Sequence, residues 1–120
     1  MLLRADMTQK NKLLEAPPFA VEDTLKRLGS NLRTARLRRN LAIQQVAEKI
    51  GTGPRAVADA EKGKLSTGIG IYSALLWAFD LLHQLSEVAD PAKDDEGQTL
   101  ALSNERERAR QSDEGLDNDF

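Results

Sequence analysis

Arginine and lysine are the residue types of this chain best suited to a chemical role, because their side chains carry positive charge and hydrogen-bond donors. Residues 24–65 contain ten of them against three acidic residues, whereas residues 66–120 contain four basic and twelve acidic residues. Arginine offers a planar fork of N–H donors that can bind a phosphate or a base edge at two points. The basic segment therefore predicts an anionic partner, and the acidic segment predicts a different task.

The other residue types give little support to catalysis. The chain has no cysteine and one histidine, His83, which excludes a cysteine nucleophile, a disulfide and a histidine-based metal cluster. Residues 51–56 match a dinucleotide-binding fingerprint, but that motif works only after a strand in a parallel sheet. The acidic run at residues 94–96 lies in a polar segment without a pocket. We therefore predict no enzyme activity, no catalytic residue, no cofactor and no bound metal.

Apolar residues at helical spacing predict an all-α domain of five short helices. A first helix ends near Asn40, and its apolar stripe is Val21, Leu25, Leu28, Leu32 and Ala35. A second contains Ile43, Val46, Ala47 and Ile50 and is closed by Gly51. A third begins at Gly53 and Pro54, where the missing N–H of proline costs nothing, and ends at Gly63.

Two further helices are predicted before the proline at position 91. Ser66 or Thr67 is expected to cap the fourth, whose apolar positions are Ile71, Leu75, Ala78 and Phe79. Leu82, Leu85 and Val88 continue a fifth as far as Asp90 and Pro91. Tyr72 and Trp77 are expected in the core or at a dimer surface. The apolar segment 69–82 is shorter than the ~20 residues of a membrane span, so no membrane association is predicted.

Composition divides the chain into three parts. Residues 1–18 are polar and end in a proline pair, which predicts a flexible arm, with Met1 and Met7 both possible starts. Residues 19–90 hold the predicted helical domain. Residues 91–120 are densely charged and predict a flexible tail, although residues 99–110 could form one or two turns against a partner. The N-terminal charges do not fit a signal peptide, so we expect a cytoplasmic protein.

Six linked positions match the packing needs of a helix-turn-helix. This motif requires a small residue where two helices cross, a residue tolerant of positive φ four positions later, and apolar residues at fixed offsets. The six positions are Val46, Ala47, Ile50, Gly51, Val57 and Ala60. The second and third predicted helices therefore form a candidate helix-turn-helix.

Residues 28–64 resemble the Xre and phage-repressor family of transcriptional regulators. The matching positions are Leu28, Leu32, Ala35, Arg36, Arg39, Leu41, Ala47, Gly51, Glu61 and Gly63. The resemblance covers about residues 25–88 and implies a five-helix fold. It also implies that the third helix enters the major groove of double-stranded DNA, usually in a homodimer. A helical bundle with the same packing and no DNA binding is the alternative.

The solvent face of the third helix supplies the candidate base-reading residues, which are Gly53, Pro54, Arg55, Ala58 and Asp59. Of these, only Arg55 has a cationic fork, which can bind guanine bidentately for ~1–3 kcal/mol of discrimination. Its alternative interpretation is a simple surface arginine. Asp59 would repel phosphate unless it accepts from a cytosine amine or pairs with a neighbouring cation.

The resemblance also implies phosphate contacts beside the groove, from Arg33, Arg36, Arg39, Lys62 and Lys64. Arg36 has a second interpretation, an internal ion pair with Glu61. The family commonly starts its second helix with a hydroxyl cap and a glutamine that holds a phosphate. This chain departs from that pattern, with Ala42 and Ile43 followed by Gln44 and Gln45. Both glutamines are kept as candidate DNA contacts.

Residues 81–110 look like the C-terminal region of Xre-type antitoxins encoded beside Hip-type kinase toxins. In both, an Ala-Asp-Pro step leads into an acidic and then a basic tail. The resemblance implies an autorepressor that also binds a kinase-like toxin through residues from Asp90 onward. The alternatives are a solvated tail without a partner, and a protein-interaction module whose DNA role is vestigial.

Overall fold

The computed structural model describes residues 11–118, with the side chains of residues 11–114, and these residues are all-helical. The chain divides into two compact units whose boundary lies between Leu85 and Ser86. The helices are α1 (Lys12–Glu15), α2 (Phe19–Arg38), α3 (Ile43–Ile50), α4 (Pro54–Glu61), α5 (Ile69–Ala78), α6 (Leu82–Leu85) and α7 (Asp95–Asn118), with a 3-10 turn at Pro91–Lys93. The first ten residues of the predicted arm, Met1 and Met7 included, lie outside the described residues.

The core of the first unit is one apolar cluster built by α2, α3, α4 and α5. Helix α2 packs on α4, and α3, α4 and α5 pack on one another, with α6 against α5. Removing these side chains from water supplies the main driving force for folding. The buried apolar residues are Leu32, Ala35, Val46, Ala47, Val57, Ala60, Tyr72, Leu75, Leu76, Ala78 and Phe79.

The first three predicted helices are confirmed as α2, α3 and α4. Gly51 ends α3 with a φ of +80°, and Pro54 is the first residue of α4. The apolar stripe on α2 extends beyond the core, however. Leu32 in the core is 2% exposed, whereas Val21 near the start of α2 is 38% exposed. The buried residues of α2 begin at Gly29, so its first two turns extend past the cluster.

The ends of the fourth and fifth helices differ from the prediction. The N-cap of α5 is Gly68, not Ser66 or Thr67, because the N–H of Thr67 donates to the carbonyl of Lys64 in a preceding turn. Helix α6 stops at Leu85 after one turn. Val88 is 68% exposed, and Ala89 adopts a φ of +58°, which lies outside the α-helical region.

Helix α7 covers 24 residues of the segment that was predicted to be a flexible tail. Asp94 Oδ1 accepts from the N–H of Gly97 and so satisfies an unpaired donor in the first turn. The tail's alanine, leucine, glutamate and arginine residues favour helix, a preference that low hydrophobicity does not remove. Among residues 11–118, the structure contains no helix that is both long enough and apolar enough to cross a bilayer.

Gly29 sets the distance between α2 and α4. A Cβ added at this position would lie 2.6 Å from the carbonyl oxygens of Ala60 and Glu61 and from the N–H nitrogen of Gly63. All three are backbone atoms, so they cannot move aside by a rotamer change. The absence of a side chain at Gly29 therefore lets α2 approach the end of α4.

We expect Gly29→Ala to lower the free energy of unfolding by about 1–3 kcal/mol, because the added methyl group overpacks this crossing. Gly70→Ala on α5 is the matched control, since a Cβ there meets nothing within 4 Å. Alanine favours helix over glycine, so the control should gain up to about 1 kcal/mol. Urea unfolding measures both variants, and a stabilised Gly29→Ala protein would contradict the close crossing.

Candidate nucleic-acid interface

The α3–turn–α4 segment has the packing that its sequence predicts. Val46 and Ala47 are 1% exposed, and Val57 and Ala60 are fully buried. The turn closes on α3 because the N–H of Thr52 donates to the carbonyl of Ala47 at 2.9 Å. The two eight-residue helices are thus fixed to each other and to the core, and their remaining sides face outward.

The outward side of α4 presents one long cationic side chain among small residues. Gly53, Pro54 and Arg55 are exposed, whereas Ala58 and Asp59 are half-buried. Within the described residues, the side chain of Arg55 makes no hydrogen bond or ion pair. Its guanidinium group is therefore available to an external anion or base.

Arg55 lines an open groove of about 550 Å³ together with Asp59, Lys62 and Lys64. Lys26 of α2 lines the same groove, as do Glu22, Leu14 and Ser66. Lys26 was not a predicted contact, because its place in the sequence does not show which helix packs beside α2. The ammonium group of Lys26 lies 3.1 Å from the carboxylate of Glu22. Because this ion pair is exposed, it contributes little to stability.

A second groove, of about 270 Å³, continues this surface toward the start of α3. It is lined by Arg33, Arg36, Ile43, Ala58, Glu61 and Lys62. Lys62 lines both grooves, so the two are neighbours on one surface. We call this surface the basic face and define it by its exposed cations, Lys26, Arg33, Arg55, Lys62 and Lys64.

Asp59 lies on the basic face but is compensated by a cation. Its Oδ2 atom is 3.7 Å from Lys64 Nζ, and its carbonyl accepts the N–H of Lys64 at 3.2 Å. Of the predicted alternatives for Asp59, the structure has the pairing with a neighbouring cation. This pairing reduces the repulsion between the Asp59 carboxylate and an approaching anion, but it also neutralises part of the charge of Lys64.

Arg36 occupies an internal position and is removed from the candidate phosphate contacts. Its Nε donates to Glu61 Oε2 at 2.6 Å, its Nη2 to Glu61 Oε1 at 3.0 Å, and its Nη1 to the carbonyl of Leu41 at 2.9 Å. The two side chains are only 8% and 7% exposed. The hydrogen bonds to Glu61 raise the pKa of Arg36 above its usual value, so its guanidinium group stays charged. The second interpretation of Arg36 is therefore confirmed.

Arg39 is exposed and stays a predicted phosphate contact, although its guanidinium group also makes hydrogen bonds within the fold. Its Nη1 donates to the carbonyl of Ala35 at 2.8 Å, and its Nη2 donates to that of Phe79 at 2.9 Å. The group lies 5.5 Å from the centre of the Phe79 ring, within range of a cation–π contact. Arg39 thus links the ends of α2 and α5.

The start of α3 has half of a capping arrangement. Ala42 offers no side-chain oxygen, but Gln45 Oε1 accepts the N–H of Ala42 at 2.7 Å. Gln44 is exposed and its amide lies 3.4 Å from Glu48. The first N–H groups of α3 therefore have no side-chain cap, and a helix N-terminus in this state favours an anion.

No family model, curated protein or solved structure matches this chain. The chemistry of the site must therefore be derived from its own residues. Residues 11–118 contain no group of three histidine, cysteine, aspartate or glutamate residues that could hold a metal ion. What the basic face offers is a row of exposed cations around the unpaired side chain of Arg55, which suits a partner with repeated negative charges.

The loop after α4 carries Lys62 and Lys64, and Tyr72 holds it in place. The hydroxyl group of Tyr72 donates to the carbonyl of Lys64 at 2.9 Å, while its ring is 3% exposed. Burial raises the pKa of Tyr72, so the hydroxyl group remains a donor at neutral pH. The two lysines therefore project from a backbone that is tied to the core.

We expect Glu61→Ala to lower the free energy of unfolding by about 3–5 kcal/mol, because it leaves the Arg36 charge buried without its partner. Asp59→Ala is the matched control, since it breaks a more exposed pair and should cost less than about 1 kcal/mol. Chemical denaturation measures both. Equal losses in the two variants would show that the Arg36–Glu61 pair has no special structural role.

Proposed function

We propose that this chain is a double-stranded DNA-binding transcriptional regulator of the phage-repressor type. In this proposal α2 to α6 are the five helices of the domain, and α4 docks in the major groove. The observation that carries it is the unpaired Arg55 on the exposed side of α4, with Lys26, Lys62 and Lys64 lining the same groove. A duplex supplies both a base edge for the arginine and phosphates for the lysines.

The dimensions and side chains of α4 fit this docking. An α-helix with its side chains is about 10–12 Å across, comparable to the ~12 Å width of the major groove. Gly53, Pro54 and Ala58 are small, so the backbone can approach the base edges closely. Arg55 then reaches the floor of the groove, where guanine O6 and N7 accept its two donors.

The basic face supports affinity more than specificity. One bidentate contact discriminates by ~1–3 kcal/mol, whereas phosphate contacts act on any sequence. In this docking, Arg33, Gln44 and the uncapped start of α3 would contact the phosphate backbone of the duplex. We therefore propose a cytoplasmic regulator that acts as a homodimer and represses by occupying its site, because two copies double the base contacts.

Binding to a duplex of about 30 base pairs from immediately upstream of the coding sequence tests the proposal, with a shuffled duplex as comparison. Arg55→Ala should weaken binding to the upstream duplex by about 5- to 150-fold, which is ~1–3 kcal/mol, and should remove most of the preference over the shuffled one. Lys62→Ala should weaken both duplexes alike and lower the log–log salt slope by ~0.9. Fluorescence anisotropy at two salt concentrations gives all three quantities.

Arg38→Ala is the matched control for charge. Arg38 is an exposed arginine of α2 that lines a different groove, with Asn31, Thr34, Leu81 and Gln84. Its removal changes the net charge by the same amount as Arg55→Ala but should leave sequence preference intact. The DNA proposal fails if the unaltered protein binds neither duplex at low salt, or if both arginine variants lose the same affinity and preference.

A second candidate function is binding of a protein partner, such as a kinase-like toxin, through the second unit. The observation that favours it is the exposure of Leu100 and Leu102 on α7, at 55% and 56%. A solvated helix of this composition gains little from packing on its own, and a partner surface would stabilise it. Failure of all duplex binding would leave this candidate as the better account of the chain.

A further inference from the structure

The groove lined by Arg38 lies between the C-terminal half of α2 and α6 and measures about 400 Å³. Five of its lining residues carry hydrogen-bonding side chains, so it favours a polar ligand. We call it the α2–α6 groove and define it by six of its residues, Asn31, Thr34, Arg38, Arg39, Leu81 and Gln84.

Helix geometry separates the α2–α6 groove from the basic face. At 100° per residue, the α2 residues of the groove fall within an arc of about 140°. Gly29, Arg33 and Arg36, which meet or flank α4, lie about 140–160° round the helix from Asn31. A molecule in the α2–α6 groove and a duplex on the basic face would therefore contact different sides of α2.

The cations of the α2–α6 groove have no acid beside them in its lining. The first groove of the basic face contains Glu22 and Asp59, and the second contains Glu61. Among the described residues that line the α2–α6 groove, none is acidic, although two are arginines. An anion can therefore enter this groove without meeting a carboxylate in its wall.

Arg39 is held in place before any ligand arrives. Its Nη1 donates to the carbonyl of Ala35 at 2.8 Å, and its Nη2 donates to that of Phe79 at 2.9 Å. These bonds use two of the five N–H groups of the guanidinium and leave three for an external acceptor. A donor that is already fixed loses little side-chain freedom on binding.

The other polar side chains of the groove are available to a ligand. Asn31, Thr34, Arg38 and Gln84 are exposed, and their side chains make no hydrogen bond or ion pair with the described residues. Arg38 offers a fork of donors, whereas each carboxamide and the hydroxyl group offer both donor and acceptor. The groove thus combines a fixed guanidinium, a free guanidinium and three neutral polar groups.

We propose that the α2–α6 groove binds a small phosphate monoester. Such a group carries nearly two negative charges at neutral pH and has three strong acceptor oxygens. Two guanidinium forks suit it, because each can bind two oxygens at once. The carboxamides and the hydroxyl group suit the polar groups of the attached organic part. A volume of about 400 Å³ lies within the range of about 300–1,000 Å³ that is usual for small-molecule sites.

The composition of the groove favours a small molecule over a further stretch of duplex. A duplex presents phosphates in a row, and the row of cations on the basic face matches it. The α2–α6 groove instead places two arginines among two carboxamides and a hydroxyl group, the kind of polar groups that orient a small ligand. This inference does not depend on the proposed DNA binding.

Ribose 5-phosphate is a suitable probe, because it joins one phosphate monoester to several hydroxyl groups. It is titrated into the isotope-labelled full chain in about 0.15 M chloride, which screens distant charges. A ligand of this size should bind with a Kd of about 1 mM. The backbone amide shifts should concentrate at residues 31–39 and 81–84, and ribose without phosphate should cause none.

Arg38→Ala should weaken the binding of ribose 5-phosphate by about 10- to 100-fold, because it removes charge-assisted hydrogen bonds. Gln84→Glu places a carboxylate in the groove and should weaken binding at least as much. Arg39 is also a predicted phosphate contact of DNA, so it is left unaltered. Arg55→Ala is the matched control, since it removes the same charge from the basic face and should change the Kd by less than about twofold.

The absence of saturable shifts up to about 20 mM, well above the expected Kd, would overturn the proposal. Shifts confined to the basic face, or equal losses in Arg38→Ala and Arg55→Ala, would overturn it as well. Inorganic phosphate should bind about threefold or more weakly than the ester, because it lacks the groups that the carboxamides contact. Equal affinity for both would contradict a site for a monoester. No DNA is present, so these outcomes do not depend on whether the chain binds a duplex.

Discussion

The buried ion pair between Arg36 and Glu61 ties the domain's first long helix to the helix proposed to read DNA. Both oxygens of Glu61 accept from Arg36, whose third nitrogen, Nη1, donates to the carbonyl of Leu41. Taking two charges out of water costs several kcal/mol each, so such a pair is tolerable only when its hydrogen bonds are complete. With Gly29 allowing the close approach, the pair fixes α4 against α2 while Arg55 faces outward.

The basic residues of the first unit divide between internal and external roles. Arg36 is buried and donates to Glu61, and the exposed Arg39 donates to two backbone carbonyls. The exposed cations of the basic face are Lys26, Arg33, Arg55, Lys62 and Lys64. Composition alone overstates the charge available to a partner. The exposed cations of the basic face suit many phosphate contacts around one proposed base contact, that of Arg55. Such an arrangement favours affinity over discrimination between DNA sequences.

Local patterns predicted α2, α3 and α4 because their ends are set by nearby residues, such as Gly51 with its positive φ and Pro54 at a helix start. The family resemblance also offered the Arg36–Glu61 pair as one of two alternatives. Other features depend on what lies across the fold. The exposures of Val21 and Val88 and the helix crossing at Gly29 could not be predicted, because each depends on which element lies next to the residue. The helical tail shows that low hydrophobicity predicts weak packing and not the absence of helix.

The proposal that a duplex binds the basic face around α4 can be tested residue by residue. Backbone amide chemical shifts, followed while the upstream duplex is titrated into isotope-labelled protein, locate the binding surface directly. We expect the largest shifts at Gln44, at residues 53–59, and at Lys62 and Lys64, with α7 unaffected. Shifts confined to α7, or none at saturating duplex and low salt, would contradict it.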